Sequence, residues 1–138
     1  MGLYLCVFDD GGEEVDGVEV GSYADFNFLR NTVIDLVESG CFATRCPVLV
    51  SHSDCDGQWS PEEASLLLAE LDLIQTAFAN APAIALNADW KEDVARTTGI
   101  DPKSLLDCFF DVDGEPLIQR LRGLATLSVQ TNAAILFQ

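Results

Sequence analysis

LYLCVFDDGGEEVDGVEV, residues 3–20, is the stretch that decides the fold. Its first six residues are apolar strand formers, and Asp9-Asp10-Gly11-Gly12 follows them as a turn signal. Val15, Val18 and Val20 are then interleaved with Asp16, Gly17 and Glu19, which predicts a second strand with a polar outer face. The two strands form an N-terminal antiparallel hairpin, with a bulge expected at Gly17.

Downstream of the hairpin the period changes from two to 3.6. Ser22 and Asp25 make a capping pattern, and Phe26, Leu29, Val33, Leu36 and Val37 follow at helical spacing up to Gly40. Cys46-Pro47 interrupts the chain, and Val48-Leu49-Val50 is read as a short buried strand. Ser60-Pro61-Glu62-Glu63 combines a cap, a first-turn proline and a capping box. The helix it starts carries Ala64, Leu67, Leu68, Leu71, Ile74 and Phe78 on one stripe. Leu66 and Leu73 widen that stripe, as in a central helix. A weaker helix is expected over 87–96, closed by Gly99, and a short one from Asp101-Pro102 through Leu105, Leu106 and Phe109. Asp113-Gly114-Glu115-Pro116 caps a longer helix with Leu117, Leu121, Leu124 and Ala125, and 134–137 is a terminal strand. The expected fold class is α/β of the α+β type. It is a single domain over 1–138, with a small, largely antiparallel sheet packed by four to five helices.

Seven Lys+Arg stand against 23 Asp+Glu in 138 residues, a formal net charge of −16. Nucleic-acid binding needs clustered cations and an anionic membrane surface attracts them, so neither partner fits. A basic protein does, because complementary charge speeds and selects association. The same charge also keeps a protein soluble without any partner. Disorder is not its cause, since eight Phe, two Trp and 49% hydrophobic residues supply a core. Five scattered cysteines without a C-x-x-C pair read as reduced thiols. With no apolar stretch of membrane-spanning length and no secretory leader pattern, the expected location is cytoplasmic.

The block His52-Ser53-Asp54-Cys55-Asp56-Gly57-Gln58-Trp59-Ser60-Pro61-Glu62-Glu63 gathers the most suggestive residues. On the twelve-residue calcium loop it supplies Asp54, Asp56 and Glu63 at positions three, five and twelve, with Gly57 at the turn. His52 replaces the first oxygen ligand, and imidazole is a poor ligand for calcium. A transition metal on His52, Asp54 and Cys55 lacks a distant fourth ligand. A strand-to-helix turn capped by Ser60 and Glu63 accounts for each of these residues by itself. Cys55 with His52 is a formal thiol–base pair, but no oxyanion-hole pattern accompanies it. The expectation is therefore no catalytic residue and no cofactor. Trp59 and Trp90 sit beside helix starts. Trp59 either folds back over the turn or stands half exposed beside the acids as an anchor for a basic partner.

Five stretches resemble the immunity protein 70 family of bacterial polymorphic-toxin immunity proteins. They are Met1 to Asp9, Gly17 to Tyr23, the block His52 to Glu63, Phe110 to Leu117, and Ile135 to Gln138. The resemblance implies a cytoplasmic protein that binds and neutralises a cognate toxin domain, for which a basic nuclease is one candidate. It brings no catalytic residues. The contact surface expected from the residues themselves is Asp10, Glu13, Glu14 and Asp16 of the hairpin, with Asp54, Asp56 and Trp59 of the turn.

Overall fold

The computed structural model describes residues 2–53 and 57–138. The hairpin is present as β1 (Gly2–Phe8) and β2 (Glu14–Ser22). It is followed by α1 (Tyr23–Leu36), α2 (Pro47–Val50), β3 (Gln58–Trp59), α3 (Pro61–Ala79), α4 (Asp89–Thr98), α5 (Leu117–Thr131) and β4 (Ile135–Phe137). A 3-10 turn occupies Leu105–Cys108. The strands form one open sheet in the order β2-β1-β4-β3, every neighbour antiparallel. The fold is of the α+β class, as the hairpin and the later helical periods predict.

The hairpin turn is built by Asp9, whose Oδ1 accepts the N–H groups of Gly11 and Glu13, each at 2.9 Å. Gly12 takes φ 81° there. The same D-x-x-G-E geometry recurs at Asp111, whose Oδ1 accepts from Asp113 (2.9 Å) and Glu115 (3.0 Å), with Gly114 at φ 83°. In each loop a side-chain acceptor holds the turn that a left-handed glycine closes.

The strand register shifts between Leu3 and Tyr4 and between Val7 and Phe8, so Val20 and Val15 are the extra residues of β2. Gly17, where the bulge was expected, is in register opposite Cys6. Its lack of a side chain serves packing instead: a Cβ there would lie 2.0 Å from the Tyr4 hydroxyl oxygen.

Both predicted capping boxes form, Ser22 with Asp25 and Ser60 with Glu63. Three readings change. Val48-Leu49-Val50 is not a strand but one helical turn, α2. Pro47 suits its first position, and the Glu70 carboxylate of α3 accepts the N–H groups of Val48 and Leu49, each at 3.0 Å. The segment from Asp101 shortens to the 3-10 turn, capped by Ser104 and Asp107. Leu66 and Leu73 are 61% and 40% exposed, and Leu36 is exposed too. α3 therefore buries a single stripe (Leu67, Leu71, Ile74, Phe78) and leaves its other side to solvent.

One hydrophobic cluster joins Leu3, Leu5 and Val7 of β1, Val18 and Val20 of β2, and Ile135 and Phe137 of β4 with the inward residues of α1, α3 and α5. Tyr4, Cys6, Phe8 and Leu136 are not part of it. Side chains alternate across a sheet, so these four belong to the opposite face.

Candidate binding face

That opposite face is set by the register. Cys6 pairs with both Gly17 and Leu136, Tyr4 with Glu19, Phe8 with Glu14, and Gln58 with Leu136. Tyr4, Phe8 and Leu136 are half-buried, Cys6 is fully buried, and Glu14, Glu19 and Gln58 are exposed. The result is an apolar centre with carboxylates on its β2 side. The Tyr4 ring crosses Gly17, and its hydroxyl donates to Glu14 Oε2 at 2.9 Å. That bond to a carboxylate, with burial and the nearby negative charge, pushes the Tyr4 phenol up to about 12. Burial, then the Glu14 charge, pushes the Cys6 thiol up as well.

The predicted hairpin acids divide. Asp10, Glu13 and Glu14 are exposed, whereas Asp16 is half-buried and pairs with Arg120 of α5, Oδ1 to Nη2, at 3.3 Å. Glu19 was not singled out in the sequence. Its outward position between the inward Val18 and Val20 was the available signal. The free edge of β2 is partly closed: Arg120 Nη2 donates to the Gly17 carbonyl (2.6 Å) and the Val112 N–H to the Glu19 carbonyl (3.2 Å). Pairing of another strand along this edge is therefore obstructed, while the face stays open.

At the base of the face, Gly2, Glu19, Gly21, Ser22, Trp90, Val94 and Val112 line a groove of about 400 Å³. Trp90, half-buried, is fixed by its Nε1, which donates to Asp25 Oδ2 at 3.0 Å. Gly21 at φ 125° leaves room for it, since a Cβ there would lie 2.9 Å from Trp90 Cζ2. A larger cleft of about 470 Å³ opens between Ile100, Leu106, Phe109 and Ile118. Its acids have local roles, Asp101 pairing with Lys103 at 2.7 Å and Asp107 accepting the Lys103 N–H at 3.0 Å.

Trp59 does not stand at the surface as a partner anchor. It is wholly buried, because β3 pairs with β4 and turns Trp59 inward opposite Ile135. Its ring meets Phe137 edge-on at 4.7 Å, and its Nε1 donates to the Val48 carbonyl at 3.1 Å. His52 stacks on Phe137 at 3.9 Å, and its ring nitrogens face the carbonyls of Ser53 (2.6 Å) and Gln58 (3.0 Å). Glu63 Oε1 accepts the Ser60 N–H at 3.0 Å. Asp54, Cys55 and Asp56 lie outside the described residues. Among the described residues no group of three or more His, Cys, Asp or Glu is placed to hold a metal ion.

Among the described residues four acids are buried, and each accepts at least one backbone N–H. Asp25 takes that of Ser22, Asp111 those of Asp113 and Glu115, and Glu70 those of Val48 and Leu49. Glu38, 2% exposed, takes those of Ala43, Arg45 and Cys46. Among the described residues, Arg96 pairs with Asp93, Lys103 with Asp101, Arg120 with Asp16 and Asp111, and Arg122 with Asp72. Lys91 is buried, with Nζ 2.8 Å from Asn87 Oδ1 and 5.2 Å from the centre of the Phe109 ring. The hairpin acids are left largely without local counter-charge, since residues 1–29 contain no Lys or Arg.

Fold and face together define an acidic α+β protein with one sheet face covered by helices and the other open. The chain belongs to the Immunity protein 70 family, whose model matches residues 3–137. No curated protein and no solved structure matches it. Membership makes it an immunity protein, a class directed against a toxin. Among the described residues no helix is long and apolar enough to cross a membrane.

Proposed function

We propose that this chain neutralises its toxin by binding it, without catalysis, and that the toxin domain presents a basic surface. A nuclease fits that description, because an enzyme that holds a phosphate backbone needs clustered Lys and Arg. The observation that carries the proposal is charge segregation. Asp10, Glu13, Glu14 and Glu19 are exposed on a hairpin without a Lys or Arg, in a chain of net charge −16. Asp16 contributes less, being paired with Arg120. Such a surface can cover the groove in which a nuclease holds nucleic acid, and the protein's place of action is then the cytoplasm of the producing cell.

The test is co-expression with the toxin domain encoded beside this gene. The chain protects cells, the purified pair forms a complex, and association slows steeply as salt rises. A neighbouring gene without a toxin-like product, or protection that persists without complex formation, rejects the proposal.

A further inference from the structure

Given the toxin-binding function, the remaining question is which surface makes the contact. Acids surround much of the molecule, and on the open sheet face exposed carboxylates adjoin an apolar surface that has a groove at its base. Tyr4, Phe8 and Leu136 form its centre, outside the hydrophobic core. Glu14 and Glu19 stand along its β2 side. At its base the groove has walls of Trp90, Val94 and Val112 with Glu19 as its one carboxylate, and the adjacent Asp113 is exposed. An apolar wall ending at a carboxylate matches a long cationic side chain, whose alkyl stem packs while its head stays charged. An indole adds attraction for the cation. Obstruction of the β2 edge by Arg120 and Val112 favours docking onto the face over strand addition.

We propose that the toxin docks on the open sheet face between Glu14 and the Trp90 groove, and that the groove receives a lysine or arginine side chain of the toxin. The cationic head lies toward Glu19 and the stem lies against Trp90, Val94 and Val112. The acids of the hairpin steer the partner toward this face, and the groove sets the register in which it stops.

The test uses the full chain and the purified toxin domain encoded beside it, with calorimetry at two salt concentrations. Glu19→Lys reverses the charge of the groove, and Val94→Arg fills the groove with the chain's own guanidinium. Asp35→Lys on α1 is the control of equal charge change, and Leu66→Ser probes the exposed side of α3. Melting curves confirm that each variant is folded. The expected result is a loss of about 100-fold in affinity for Glu19→Lys and Val94→Arg, with Asp35→Lys within about threefold of the parent. Parent-like binding by folded Glu19→Lys and Val94→Arg overturns the proposed face while toxin binding stands. Loss confined to Leu66→Ser does the same and moves the contact to α3. A parent chain that binds no toxin rejects both the face and the function.

Discussion

Tyr4 and Gly17 form one packing unit on the open face. The phenol ring fills the space of a Gly17 side chain, so a Cβ at Gly17 would come within 2.0 Å of the Tyr4 oxygen. Gly17→Ala therefore displaces the ring and breaks the Tyr4–Glu14 bond, lowering stability by about 1–2 kcal/mol. In a Tyr4→Ala background the same change becomes neutral or slightly stabilising, because alanine restricts the unfolded chain more than glycine. Urea denaturation of the four proteins measures the change of sign.

Tyr4 also carries a pH dependence. Its phenol is raised from 10.0 to about 12, so the folded protein retains a proton that the unfolded chain releases. Its contribution to stability is full below pH 10 and is lost as pH rises toward 12. Absorbance titration should show one tyrosine ionising late, and Glu14→Gln should bring it earlier by removing the carboxylate bond.

Glu70 determines the state of α2. Glu70→Ala leaves the N–H groups of Val48 and Leu49 without their acceptor and is expected to lower stability by about 2–4 kcal/mol. Glu70→Gln keeps one oxygen and is expected to lose about half as much. Burial raises the Glu70 carboxyl above its ordinary range, against those two bonds, and the Glu38 charge raises it further. The folded form thus holds this proton more tightly than the unfolded chain does. Its contribution is full below the ordinary glutamate value and declines as pH rises through the raised one. The stability difference between the parent and Glu70→Gln should accordingly shift in the parent's favour as pH falls. A pH-independent difference counts against the raised carboxyl.

The thiols should separate by burial. Cys6 and Cys46 are fully buried, Cys108 is 3% exposed, and Cys41 is exposed. Burial, with the charges of Glu70 and Glu38, raises the Cys46 thiol from 9.0 to about 12. In a Cys55→Ser protein, a thiol reagent at pH 8 should label Cys41 promptly and the other three only on unfolding. Prompt labelling of a second thiol counts against the packing around it.

Much of the fold was legible because its determinants are local. The apolar run Leu3–Phe8, its turn signal and the alternation around Val18 and Val20 specified the hairpin, and Ser22 with Asp25 and Ser60 with Glu63, each pair three residues apart, marked two helix starts. The candidate face was less legible. Asp10, Glu13 and Glu14 are exposed, as a polar outer strand face predicts, and Glu19 joins them; of the two positions open to Trp59 in the sequence, the structure takes the folded-back one. Which aromatic becomes core depends on which strand pairs with it, and Ile135 of β4, opposite which Trp59 turns inward, lies 76 residues further on.

The sequence by itself determined the hairpin, the capped helices, the α+β class and the acidic N-terminal third without a cation before Arg30. These depend on periodicity, capping and composition, which act within a few residues. Only the tertiary structure decided that Val48–Val50 is helical, that Leu66 and Leu73 face water, and that Trp90 and Glu19 share a groove. In the first case a carboxylate 21 or 22 residues away along the chain supplies the acceptor. In the others, burial is fixed by which surfaces meet, a property of the assembled core that no local pattern encodes.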